Sequence, residues 1–219
     1  MVRRLFLVVS VVVLGFLLLV VVLVRGTPGD YVDPATISDE ELIEWGSQFA
    51  EKVEDLLDKA SEEDTFDVTI TEDQVNGYLA SFSRPEVRQA VQARLQLDTE
   101  LEVSEQFSGL MVRFTEGEMT VMARYEGSNL KPVVSIIGEP LVRENGDLGF
   151  KPTGLRMGRM PVPADWAASL KEMEELSVPV SAEVRLERIT LLDGALQVVG
   201  KYRTSGPVIR RPSRAPRAE

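Results

Sequence analysis

Leu5 to Val24 is an apolar run broken only by Ser10 and Gly15, and no globular core readily absorbs such a segment. Twenty helical residues reach about 30 Å, the thickness of a bilayer's hydrocarbon layer. A cleaved leader is the alternative, but its apolar stretch is about 7–15 residues and ends in a small-x-small site. Here Arg25-Gly-Thr-Pro-Gly29 follows, with no such site and no Cys for lipid attachment. Arg3 and Arg4 outweigh Arg25, which is soon followed by Asp30 and Asp33. The positive-inside bias then places the N-terminus in the cytoplasm and the rest outside. The sequence therefore predicts a single-pass cell-membrane protein with an extracytoplasmic domain. Gly15 has no second glycine four positions away and reads as a tolerated small residue.

The 219 residues include no Cys and no His. Thiolate chemistry, the commonest metal ligand and the usual general base are absent together. Charge is unevenly placed: residues 30–67 hold 14 acids against Lys52 and Lys59, while residues 68–219 are nearly balanced. No basic face suggests nucleic acid as a partner.

Thr27 to Thr36 reads as a short Pro/Gly linker. Ser38 then caps a helix, with Glu41 completing a capping box and Ile37 placed to staple onto Leu42. Leu42, Trp45, Phe49, Val53, Leu56 and Leu57 recur at helical spacing, opposite a strongly acidic face. That face is either a solvated surface or a spacer or docking helix. FDVTI (66–70) is a strand. Thr71 and Gln74 form a second capping box, and Val75, Tyr78, Leu79 and Phe82 share one side of the following helix. Asn76-Gly77 is a hairpin signal elsewhere, but no alternation follows it here. A mid-helix Gly costs about 1 kcal/mol against Ala. It predicts close approach to a neighbouring backbone, and Asn76 is placed to bond a strand edge.

A third helix opens at Pro85, where the missing N–H does no harm. Alternation from Leu95 to Val103 predicts a strand. GLMVRF, EMTVMARYE, PVVSIIGEPLVRE and LGFKPTGLRM follow, with Asn145-Gly146 as a hairpin turn. PADWAASLKEMEEL is a fourth helix, and two strands close about Asp193-Gly194. The apolar face of VRLERITLL switches at Glu187-Arg188, the mark of a β-bulge. The class is α+β. The divisions are an anchor at 1–25, linker and acidic helix at 26–65, the α+β domain at 66–203, and a disordered basic tail at 204–219. That tail either stays solvated or meets anionic head groups.

Catalytic motifs fail on inspection. Ser128 to Lys131 matches S-x-x-K but lies in a turn, where penicillin-recognising enzymes need a helix start. GLRMGRM lacks the Lys-Ser/Thr pair of a phosphate loop. Acids are plentiful, yet no aromatic-lined sugar cleft suggests a glycosidase pair. The reading is a non-enzyme with no cofactor and no metal site. What remains is apolar surplus: Leu110, Val112 and Phe114 stand against Met111, Val121 against Met122, and Val134 and Ile136 against Val133 and Ile137. One-sided antiparallel sheets normally alternate cleanly, so helices or a ligand must cover the second face. Six methionines fall between Met111 and Met173, suiting either an adaptable surface or core filling. The candidate ligand-binding residues are Leu110, Val112, Met122, Val134, Ile136, Met157, Met160 and Trp166.

The order of anchor, ITEDQVNGYL, GFKPTGLRMGRMPVPADW and closing LDGALQVVGKY resembles the YpmS-like family of singly anchored bacterial proteins. It is also similar to bacterial relatives of the tubular lipid-binding (TULIP) superfamily. The resemblance covers about residues 66–203 and places Thr71, Asn76 and Leu79 on a helix phrase, and Gly158 and Pro161 to Pro163 on a strand-to-helix phrase. It implies a curved antiparallel sheet wrapped around helices, no catalytic residues, and a lipid or other apolar ligand. The rival expectation is an envelope scaffold that docks a partner protein. N-terminal sequencing of the mature protein should find the anchor retained; a start beyond Val24 would contradict it.

Overall fold

The computed structural model describes residues 18–59, 65–95, 106–163, 177–178 and 184–202. Residues 18–25 are helical (α1). There follow a 3-10 turn at Pro34–Thr36, α2 (Asp39–Lys59), β1 (Thr65–Thr71), α3 (Glu72–Ala80) and α4 (Pro85–Leu95). The strands β2 (Phe107–Thr115), β3 (Glu118–Tyr125), β4 (Val133–Val142) and β5 (Leu148–Met157) form a meander. The short β6 (Met160–Pro161) and β7 (Ser177–Val178) both pair with β5. Finally β8 (Val184–Leu192) and β9 (Ala195–Tyr202) join β1 in a separate sheet of order β1-β9-β8. The class is α+β, with every strand pairing antiparallel.

Two sheets stand where the resemblance implies one curved sheet, and the edge of the larger lies along β2. One edge of β2 pairs with β3. The other is closed by side chains of α3. Asn76 Nδ2 donates to Val112 O at 3.0 Å, and Val112 N–H donates back to Asn76 Oδ1 at 2.7 Å. One turn earlier, Glu72 Oε2 accepts from Phe114 N–H at 2.9 Å. The turn between β8 and β9 meets Phe114 O, to which Gly194 N–H donates, and Gly194 O in turn accepts from Glu72 N–H. With the outward N–H and C=O groups of Val112 and Phe114 satisfied, no further strand can pair along that stretch.

The local rules hold helix α3 in place. Thr71 and Gln74 form the expected reciprocal capping box. Gly77 lies against α2 and not against the sheet: a Cβ there would collide with Gly46 N and stand 2.7 Å from Trp45 Cβ. Two glycines thus let the helices touch backbone to backbone. The apolar stripe of α2 packs on this pair, with Leu42 joining Ala80, Val87 and Val91, and Phe49 stacked on Tyr78 at 4.8 Å. Arg84 ties the next loop to the start of α2, donating to Pro34 O and Ile37 O and pairing with Asp39.

The stretch expected to be a linker is fastened along the larger sheet. Tyr31, 6% exposed, packs with Met111, Met122 and Val133, and its hydroxyl donates to Gly109 O. Burial first, then the Asp33 carboxylate, raise the Tyr31 pKa, which keeps the hydroxyl a donor. Asp33 caps the 3-10 turn and pairs with Arg124 at 2.7 Å.

The Asn145-Gly146 hairpin, the Asp193-Gly194 turn and the bulge at Glu187 all occur as expected. The predicted strand over 95–103, apart from Leu95 at the end of α4, lies outside the described residues, as do the helix after Pro163 and the tail. Among the described residues no helix is long and apolar enough to cross a membrane. Most of the expected span, Leu5 to Val24, lies outside them, and α1 is its last part.

Gly77→Leu should lower unfolding stability by about 1–3 kcal/mol or more through overpacking, despite a better helix propensity. Asn76→Ala should cost about 2 kcal/mol or more, because it strands two buried backbone groups of Val112. Denaturant unfolding checks both; a stabilised variant at either position would contradict the packing.

Candidate functional site

Strand register sorts the apolar surplus onto faces. On the larger sheet, cross-strand rows run Phe114–Met119–Gly138–Pro152, Val112–Val121–Ile136–Leu155 and Ala123–Val134–Met157–Met160. Pro140–Phe150 and Val142–Leu148 extend the same face along the β4–β5 hairpin. Not one polar side chain interrupts these rows. The opposite face reads Met111–Met122–Ser135–Arg156 and Arg113–Thr120–Ile137–Gly154, which mixes polar and apolar residues.

The smaller sheet repeats the contrast. Phe66–Gly200–Leu186, Val68–Val198–Ile189 and Ile70–Leu196–Leu191 form an apolar face, while Asp67–Val199–Arg188 and Thr69–Gln197–Thr190 point the other way. The two apolar faces meet each other at two places. At one, Val112 and Phe114 pack with Leu191 and Leu196, joined by Val75 and Leu79 of α3. At the other, Val142 and Leu148 pack near Phe66, Leu186 and Tyr202. Away from these contacts Val134, Ile136, Leu155, Met157 and Met160 are only half-buried. Several neighbouring aliphatic and thioether side chains thus keep part of their surface accessible, an arrangement suited to apolar ligands.

A cleft of about 350 Å³ opens beside this interior, between α2 and β1. Leu56, Phe66, Val68 and Tyr202 make its apolar wall. Lys52, Asp55, Lys59 and Asp67 stand around it. Tyr202 donates its hydroxyl to Leu56 O at 2.7 Å, which fixes the wall to the helix. Lys52 donates to Thr69 O on the outer edge of β1. Asp67 accepts from Gln197 Nε2 at 2.9 Å. An apolar wall with a few charged groups is the chemistry of an amphiphile site, and the volume lies within the range of small-molecule pockets.

Of the predicted ligand-binding residues, the structure brings Val112, Val134, Ile136, Met157 and Met160 to one face. Val112 is already buried against Phe114 and Leu191 there. Leu110 is half-buried beside the irregularity between Ser108 and Met111 and has no cross-strand partner in the register. Met122 must be withdrawn: it points to the opposite face, 0% exposed, packed with Tyr31, Met111 and Val133. Period-2 alternation assigns it there, and adjacency to Val121 is what misplaced it. Trp166 lies outside the described residues.

Leu155, Phe150 and Pro152 escaped the sequence reading because β5 shifts register opposite Ile137 and Gly138, which breaks the alternation. The cleft was invisible for another reason, since Leu56 and Tyr202 are 146 residues apart. Among the described residues no cluster of acids could hold a metal ion. No protein-family model, curated protein or solved structure matches the chain.

The two faces predict different costs for one kind of substitution. Met122→Asp should cost several kcal/mol, of the order of about 4, because a fully buried carboxylate has no partner there. Ile136→Asp should cost distinctly less, since its side chain retains contact with solvent. Equal losses in denaturant unfolding would mean that Ile136 is ordinary core.

Proposed function

We propose that the chain is a membrane-anchored, extracytoplasmic, non-enzymatic domain that holds a lipid or other apolar ligand against the apolar face of its larger sheet. The observation that carries this reading is the apolar face of the larger sheet, which meets the smaller sheet at two places and leaves Val134, Ile136, Leu155, Met157 and Met160 half-buried toward its far end. The charged residues at the neighbouring cleft suit the polar end of an amphiphile, with Lys59 and Lys52 available to an anionic group. The apolar run at the N-terminus supplies the membrane, and its flanking arginines supply the orientation. A tubular lipid-binding arrangement, with acyl chains along a curved sheet, is the finer form of the proposal. The similarity of ITEDQVNGYL and GFKPTGLRMGRMPVPADW to the YpmS-like family agrees with it.

Native mass spectrometry of the detergent-purified chain is the test. Wild type should retain co-purified lipid as discrete mass increments, and Ile136→Asp should lose them while unfolding cooperatively. A folded wild-type chain that never carries lipid would overturn the proposal and favour a scaffold that docks another protein.

A further inference from the structure

The last turn of α1 is joined to the domain by specific contacts. A helix leaves its final carbonyls without partners. Here Gly26 N–H donates to Val22 O, and Arg159, from the turn between β5 and β6, donates its backbone N–H to Leu23 O at 2.9 Å. The Arg159 guanidinium reaches on to Thr27 O at 3.0 Å. A cation at a helix C-terminus also meets the favourable end of the helix dipole. Gly158 makes the contact possible in two ways. Its φ is +60°, a conformation that side chains resist, and a Cβ there would collide with Val24 O and stand 2.8 Å from Gly26 O. Its own N–H donates to Val133 O, so the turn is fixed to β4 as well.

Val24 is buried at this joint, whereas Leu19 and Val22 are 54% and 66% exposed, and Leu18 and Val21 are exposed beside them. The apolar run continues upstream from Leu18 to Leu5. Arg25, at the helix end, and Arg159, bound to it, are both exposed. An apolar helix surface that stops at two exposed guanidiniums matches hydrocarbon giving way to anionic head groups.

From this we infer that the domain is not tethered loosely but seated on the bilayer at the Gly158-Arg159 turn. The Met157–Met160 end of the apolar sheet face then opens at the membrane surface, where lipid enters directly from the bilayer. The partner is the membrane itself. The β4–β5 tip at Asn145 points away, since β5 runs about 30 Å from Met157 to Leu148 at about 3.3 Å per residue. The entry route rests on the lipid-binding proposal; the seating does not.

The chain lacks Cys, so a single introduced cysteine reports one place. Full-length Pro161→Cys and Asn145→Cys variants, each carrying a fluorophore, are reconstituted into vesicles containing anionic lipid with nitroxide-labelled head groups. Label at position 161 should be quenched strongly and label at 145 scarcely. Gly158→Val should abolish the difference. Arg159→Ala, which keeps the backbone donor and spares the fold, should reduce it. Equal quenching at both positions in chains that float with the vesicles would overturn the seating. Failure to float would overturn the anchor and the seating together. Equal quenching leaves lipid retention by mass spectrometry untouched, so the seating and the lipid-binding reading fail separately.

Discussion

The carboxamide of Asn76 holds the backbone of Val112 by both its N–H and its C=O, and much of the architecture depends on that clasp. An edge strand with open N–H and C=O groups would accept another strand. Asn76 and Glu72, one helical turn apart, occupy those groups instead. The larger sheet therefore ends at β2, and the strands β1, β8 and β9 must form a sheet of their own. The same clasp fixes α3 against the sheet, and the Gly46–Gly77 contact fixes α2 against α3. A change at Asn76 would thus disturb the sheet edge and the helix pair together.

Two separate sheets give the molecule two apolar faces to satisfy. They satisfy each other at Phe114–Leu191 and again around Leu148 and Leu186, where buried side chains add hydrophobic stabilisation. Beyond the Val112–Phe114 contact, toward Met157 and Met160, the apolar rows run on without a polar side chain. The opposite face of the larger sheet solves its problem differently, with Tyr31 laid over Met111, Met122 and Val133. An apolar stretch with such cover is core. One that stays half-open is where an apolar ligand gains the most.

Most elements were legible because each was specified locally. The capping boxes at Ser38–Glu41 and Thr71–Gln74 set helix starts, and turn residues at Asn145-Gly146 and Asp193-Gly194 set hairpins. Asn76-Gly77 resolved into a helix because the apolar period on either side outweighed the turn dipeptide. The partner of Gly77 was not legible, since nothing near it in sequence points to Gly46. The linker reading failed for a related reason: Pro and Gly signal a break in regular structure, but Tyr31 finds its partners some 80 residues onward. Within the site, alternation located Val134 and Ile136 correctly, while the register shift in β5 hid Leu155. The cleft joins α2 to the end of β9, a distance that local pattern does not reach.

The most direct measurement is the set of intermolecular contacts between a lipid's acyl chain and the methyl groups of the domain, read by nuclear Overhauser effects on methyl-labelled protein with isotope-labelled lipid. A ligand lying on the half-open part of the apolar face predicts contacts to Val134, Ile136, Leu155, Met157 and Met160, and none to Met111 or Met122 behind the sheet. Acyl contacts confined to the exposed residues of α1, with the methyls of that face silent, would contradict it.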